Sequence, residues 1–94
     1  MAVDATMRIR RAREVVHRVI EGEVVLLDLT SGRYFGLNAT GAAFWEALGS
    51  SGATLPDAER SILSLFEVEP ELLRRDLTDL IERLESERLV TIER

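Results

Sequence analysis

Cysteine is absent from the 94 residues, and with it go disulfides, thiolate nucleophiles and thiolate metal sites. Histidine occurs once, at His17, whereas a zinc site needs three or four suitable ligands. His17 therefore reads as an ordinary strand histidine, partly buried or on the surface. There is no G-x-S-x-G, no glycine-rich phosphate loop and no H-E-x-x-H. Ser50 and Ser51 have no base in view, and the carboxylates are spread along helical patterns rather than paired. These absences predict a protein that is not an enzyme, with no catalytic residue, no metal and no cofactor. No eighteen apolar residues run together, and MAVDATMRIRRAREVV lacks an apolar run of signal-peptide length. The expectation is a soluble, cytoplasmic chain without membrane insertion. An excess of basic charge is lacking too, since the formal net charge is -5. Nucleic-acid binders normally carry a clustered basic footprint, so no nucleic acid is expected as a partner. The one dense basic cluster is Arg8, Arg10, Arg11 and Arg13. It reads as a flexible basic arm over residues 1–14, with contact to an acidic partner as the alternative.

What is present follows a simple order. From Val15 to Leu37 the residues are β-formers. VVHRVI and EVVLLDL flank Glu21-Gly22, a spacing suited to a tight hairpin. A turn at Thr30-Ser31-Gly32 leads into RYFGL, completing a three-stranded antiparallel meander. Both parities of the second strand are apolar, Val25, Leu27 and Leu29 on one and Val24 and Leu26 on the other. A sheet with one buried face alternates more cleanly, so a cover over the second face is expected, a homodimer partner being one candidate. After Leu37 the period becomes helical. Asn38 caps a helix to about Leu48, with Ala42, Trp45 and Leu48 on one stripe. GSSGA breaks it, and Thr54 caps a second helix with Pro56 in its first turn, carrying Ile62, Leu63 and Phe66. Pro70 starts a third, whose inward stripe is Leu73, Leu77, Leu80, Ile81 and Leu84, with Glu71/Arg75 and Asp79/Arg83 at ion-pair spacing. The short tail Leu89-Val90-Thr91-Ile92 docks or forms a last strand. The fold class is α+β: one domain over residues 15–94, a three-stranded antiparallel sheet followed by three helices packed on it.

Two features point to a partner. The third strand of the meander is not hydrogen-bonded on both sides unless the tail or another chain joins it, and RYFGL carries one charge and no proline to blunt that edge. Gly36 would let another backbone come close. In addition, four of the five aromatics, Tyr34, Phe35, Phe44 and Trp45, fall in one stretch, SGRYFGLNATGAAFWEAL.

The run Leu27-Asp28, Gly32-Arg33-Tyr34-Phe35-Gly36-Leu37-Asn38, Thr40-Gly41 and Phe44-Trp45-Glu46-Ala47-Leu48 resembles the PqqD family, over about Val15 to Ile92. The resemblance implies a small winged-helix-like fold of three strands and three helices. It also implies a role as a recognition element in the biosynthesis of ribosomally made, post-translationally modified peptides. Such domains bind the leader segment of a precursor as an added strand, against the third strand and beside the third helix. A free-standing chain of this size is similar to the leader-binding subunit of lasso-peptide systems, which works with a leader peptidase and an ATP-dependent cyclase. A PqqD-type chaperone of a precursor in quinone-cofactor synthesis is the alternative, and an acidic winged-helix interaction module a further one. Carried over by position, the strand part of the peptide site is Arg33, Tyr34, Phe35, Gly36 and Leu37. The helix part is Leu72, Arg75, Asp76, Asp79, Leu80 and Arg83. Phe44 and Trp45 are expected to hold their helix to the sheet, and Tyr34 and Phe35 to shape the groove.

Overall fold

The computed structural model describes residues 3–93. Along them run β1 (Arg8–Arg11), β2 (Val15–Ile20), β3 (Glu23–Asp28), β4 (Tyr34–Leu37), α1 (Ala39–Leu48), β5 (Ala53–Thr54), α2 (Leu55–Leu63), α3 (Pro70–Ser86) and β6 (Val90–Glu93).

The meander forms as its sequence predicts, with β2-β3-β4 hydrogen-bonded in that order and antiparallel. Glu21 and Gly22 make the first hairpin with φ of 53° and 82°, the left-handed pair that a two-residue turn requires. The register places Leu26 opposite Phe35 and Val24 opposite Leu37 on the face that packs on the helices. Val16, Leu27 and Tyr34 form a row on the opposite face, where Val16, Ile20 and Tyr34 are exposed. The apolar second parity of β3 is therefore a real surface of this chain.

A second sheet, ordered β5-β1-β6, corrects two expectations. The single sheet becomes two. Arg8–Arg11, read as part of a flexible arm, form the central strand of the second one, whereas residues 1 and 2 of that arm lie outside the described residues. Ile9 is fully buried, opposite Ala53 on one side and Ile92 on the other. The arginines lie along this strand with their charged ends on carbonyl oxygens. Arg8 donates to Ser51 and Gly52, Arg10 to Ser51 and to the carboxylate of Glu93. Arg11 donates to the carbonyl of Trp45 at 2.6 and 3.1 Å and stacks 4.9 Å from the indole centroid. Long cationic side chains can cover apolar surface in this way while their heads stay polar. Gly52 allows the close approach: its φ is +81°, and a Cβ there would lie 2.6 Å from the carbonyl oxygen of Ile9.

The helices begin where their caps stand. Asn38 Oδ1 accepts from the Gly41 amide at 2.8 Å, and Thr54 Oγ1 accepts from Asp57 at 3.4 Å. α1 buries Gly41, Phe44, Trp45 and Leu48, and the Trp45 indole N–H donates to His17 Nδ1 at 3.2 Å. The sole histidine thus satisfies a core tryptophan. α2 buries Leu55, Ala58 and Ile62, leaving Leu63 exposed. It is tied to α3 by Arg74, whose fork grips the buried carboxylate of Glu59 at 2.6 and 2.8 Å. α3 buries Leu73, Leu77, Ile81 and Leu84, while Leu80 sits half-buried at the edge of that stripe. The spacing pairs Glu71/Arg75 and Asp79/Arg83 are not among the ion pairs of the described residues, and Arg83 lies over Phe35.

Candidate functional site: the groove between β4 and α3

β4 is an edge strand among the described residues, because the tail pairs with β1 in the other sheet. The Asp28 amide donates to the Arg33 carbonyl at 3.0 Å, marking Asp28–Arg33 as a bonded pair of the antiparallel ladder. Bonded and non-bonded pairs alternate. Phe35 and Leu37 therefore direct their main chain to β3, and Tyr34 and Gly36 direct theirs to the open side.

Beside that edge runs α3, in the opposite direction. Two contacts bridge strand and helix. Arg33 donates to Glu87 at 3.0 Å, and the Arg83 guanidinium lies 5.1 Å from the Phe35 ring centroid. A hollow opens near each end of this span. One of about 170 Å3 is lined by Asp28, Ser31, Arg33, Tyr34, Phe35, Ser86, Glu87, Arg88 and Leu89. The other, about 240 Å3, is lined by Asn38, Thr40, Gly41, Asp76, Leu77, Asp79, Leu80 and Arg83.

The β3–β4 turn that sets the first hollow is organised by Asp28. Its Oδ1 accepts from the Thr30 amide at 2.9 Å and its Oδ2 from the Ser31 hydroxyl at 2.9 Å. The Thr30 amide first, then the Ser31 hydroxyl and amide, with the Arg33 charge least, hold this carboxyl below its usual value. The sign follows from linkage. A carboxyl whose pKa is depressed by folding adds stability above its unfolded value of about 4, and that stability is lost as pH falls through the lower folded value. Urea midpoints of the wild type and Asp28→Asn should therefore differ at neutral pH and converge on acidification. A difference that stays constant down to the acid limit would show that the charge is not what holds this turn.

Of the residues expected from sequence, Arg33, Tyr34 and Phe35 line the first hollow, and Asp76, Asp79, Leu80 and Arg83 the second. Gly36 lies at the edge between them, and nothing stands within 4 Å of where its Cβ would be. Leu37 is buried and its main chain serves β3. Leu72 is exposed near the start of α3, and Arg75 lines neither hollow. Outside that expected set, Asn38, Thr40, Gly41 and Leu77 line the second hollow, and Ser86, Glu87, Asp28, Ser31, Arg88 and Leu89 the first. The spacing of Asp28 and Ser31 after a strand carries a turn signal, whereas the last two enter the groove only through the way α3 ends.

The model of the family described as coenzyme PQQ synthesis protein D (PqqD) matches residues 23–90. No curated protein matches the sequence. Among solved structures, the chain is 32% identical to "TbiB1 in Complex with the TbiA(beta) Leader Peptide", with a TM-score of 0.76 over 86% of this chain and 93% of that one. It is 25% identical to "Lasso peptide synthetase B1 complexed with the leader peptide", with a TM-score of 0.71 over 88% of this chain and 96% of that one.

Proposed function

This chain belongs to the PqqD family, and from that premise we propose that it is a non-catalytic recognition protein for the leader segment of a ribosomal precursor peptide. The leader adds as a strand to β4 beside α3, and the chain delivers it to a leader peptidase and an ATP-dependent cyclase in lasso-peptide biosynthesis. The observation that carries this reading is the edge itself: outward main-chain groups at Tyr34 and Gly36, uncapped by the chain's own tail, running between two hollows. Both solved structures it resembles hold a leader peptide, and the one named a lasso peptide synthetase favours the lasso pathway over the family's quinone-cofactor role.

Energetics assign the parts. A main-chain hydrogen bond contributes about 1 kcal/mol net. Ordering a flexible peptide costs roughly 2–5 kcal/mol or more. A four-residue edge strand therefore holds a peptide only if side chains also find pockets, which the hollows at Phe35 and Leu80 supply. Nucleic acid is disfavoured by Glu71, Asp76, Asp79, Glu82 and Glu85 along α3.

The test is to search the reading frames beside the gene for a short precursor and to titrate its fluorescein-labelled synthetic leader by fluorescence anisotropy. The expected result is saturable one-to-one binding of the leader, no binding of the core segment and no shift of duplex DNA. A folded protein that ignores the leader overturns the proposal. Sedimentation of the chain alone reports whether the exposed Val16, Ile20 and Tyr34 face pairs two copies.

A further inference from the structure

The end of α3 contains a residue in an uncomfortable position. Arg88 has a φ of +63°, in the left-handed region that a Cβ disfavours. Its amide donates to Glu85 at 3.0 Å and the next amide, of Leu89, donates to Leu84 at 2.8 Å. That pair of bonds is the closure by which many helices end through a glycine. Here the glycine position holds an arginine. The fold gives no visible return for that side chain: among the described residues Arg88 makes neither an ion pair nor a side-chain hydrogen bond.

Arg88 is exposed and lines the first hollow, with Asp28, Arg33, Tyr34, Phe35 and Glu87. The two acids there are already engaged, Asp28 by Thr30 and Ser31 and Glu87 by Arg33. The guanidinium of Arg88 keeps its donors for something that arrives. The hollow abuts Tyr34, whose main chain opens the free side of β4, so a side chain of an added strand comes within its reach. Backbone strain tied to a side chain at a groove is the pattern of a functional position.

We propose that Arg88 is a specificity residue that recognises a carboxylate side chain, Asp or Glu, of the bound peptide. This deepens the leader-binding reading and rests on it. A planar guanidinium fork matches a carboxylate geometrically, and the acceptor must come from the guest.

The experiment uses Arg88→Gly, which should move two measurements in opposite directions. Relief of the left-handed arginine raises the folding equilibrium constant about fivefold, read as a higher urea midpoint. Affinity for the labelled leader falls about five- to tenfold, and Arg88→Lys keeps part of it. Leaders with each Asp or Glu replaced in turn by Asn or Gln locate the contact: one of them should bind wild type and Arg88→Gly equally. Unchanged affinity in Arg88→Gly, or equal losses for the acidic leader and all its amide versions, overturns the proposal. A wild type that binds no leader at all removes the leader reading, and this inference with it; binding with no Arg88 dependence removes this inference alone.

Discussion

The variant Gly36→Pro should fold normally and fail to bind the leader. Proline at this position removes an amide that points to the open side of β4, while the β3–β4 ladder runs through Phe35 and Leu37. Nothing outside its two chain neighbours lies within 4 Å of where a Cβ would stand, so that side of the ring is unobstructed in the free protein. Losing one main-chain bond would weaken binding by about 1 kcal/mol. The ring adds to this by holding the incoming backbone away from the edge, so the expected loss of affinity is at least about tenfold. Anisotropy titration, with circular dichroism and a urea midpoint as controls on folding, measures it. Wild-type affinity in a folded Gly36→Pro chain would exclude strand addition at β4 and move the site elsewhere.

The second large effect falls on stability. Ile9→Ala should destabilise the domain by about 2–5 kcal/mol, the usual range for emptying a fully buried aliphatic site. A domain of this size typically has about 5–15 kcal/mol in total. Ile9 packs between β5 and β6, so its loss loosens the segments that carry the ends of α1 and α3 into the second sheet. The measurement is the urea midpoint at constant slope. A cost below about 0.5 kcal/mol, the range of exposed substitutions, would mean that Arg8–Arg11 behave as a loose arm after all.

The two positions differ in how far their partners lie along the chain: the Gly36 strand belongs to a local meander, and Ile9 pairs with distant segments. Glu21-Gly22, the runs of β-formers on either side of it, the Asn38 and Thr54 caps and the α3 stripe are local signals, each decided by residues within a few positions, and each appears where its pattern lies. The strand half of the groove, Arg33 to Gly36, was legible for the same reason, as a strand short of charge and proline. The helix half came only through the family resemblance: of its residues Asp76, Asp79, Leu80 and Arg83 share a hollow, whereas Arg75 lines neither.

The amino-acid sequence by itself determined the meander, the three helices and the apolar faces that bring them together, because periodicity and capping are short-range physics. Tertiary structure alone decided that RIRR is a strand, since Ile9 finds its partners at Ala53 and Ile92, far along the chain. It also decided that the tail goes to β1 and leaves β4 open, and that Arg83 turns to Phe35. Such choices depend on which distant surfaces meet, and a local pattern holds no record of them.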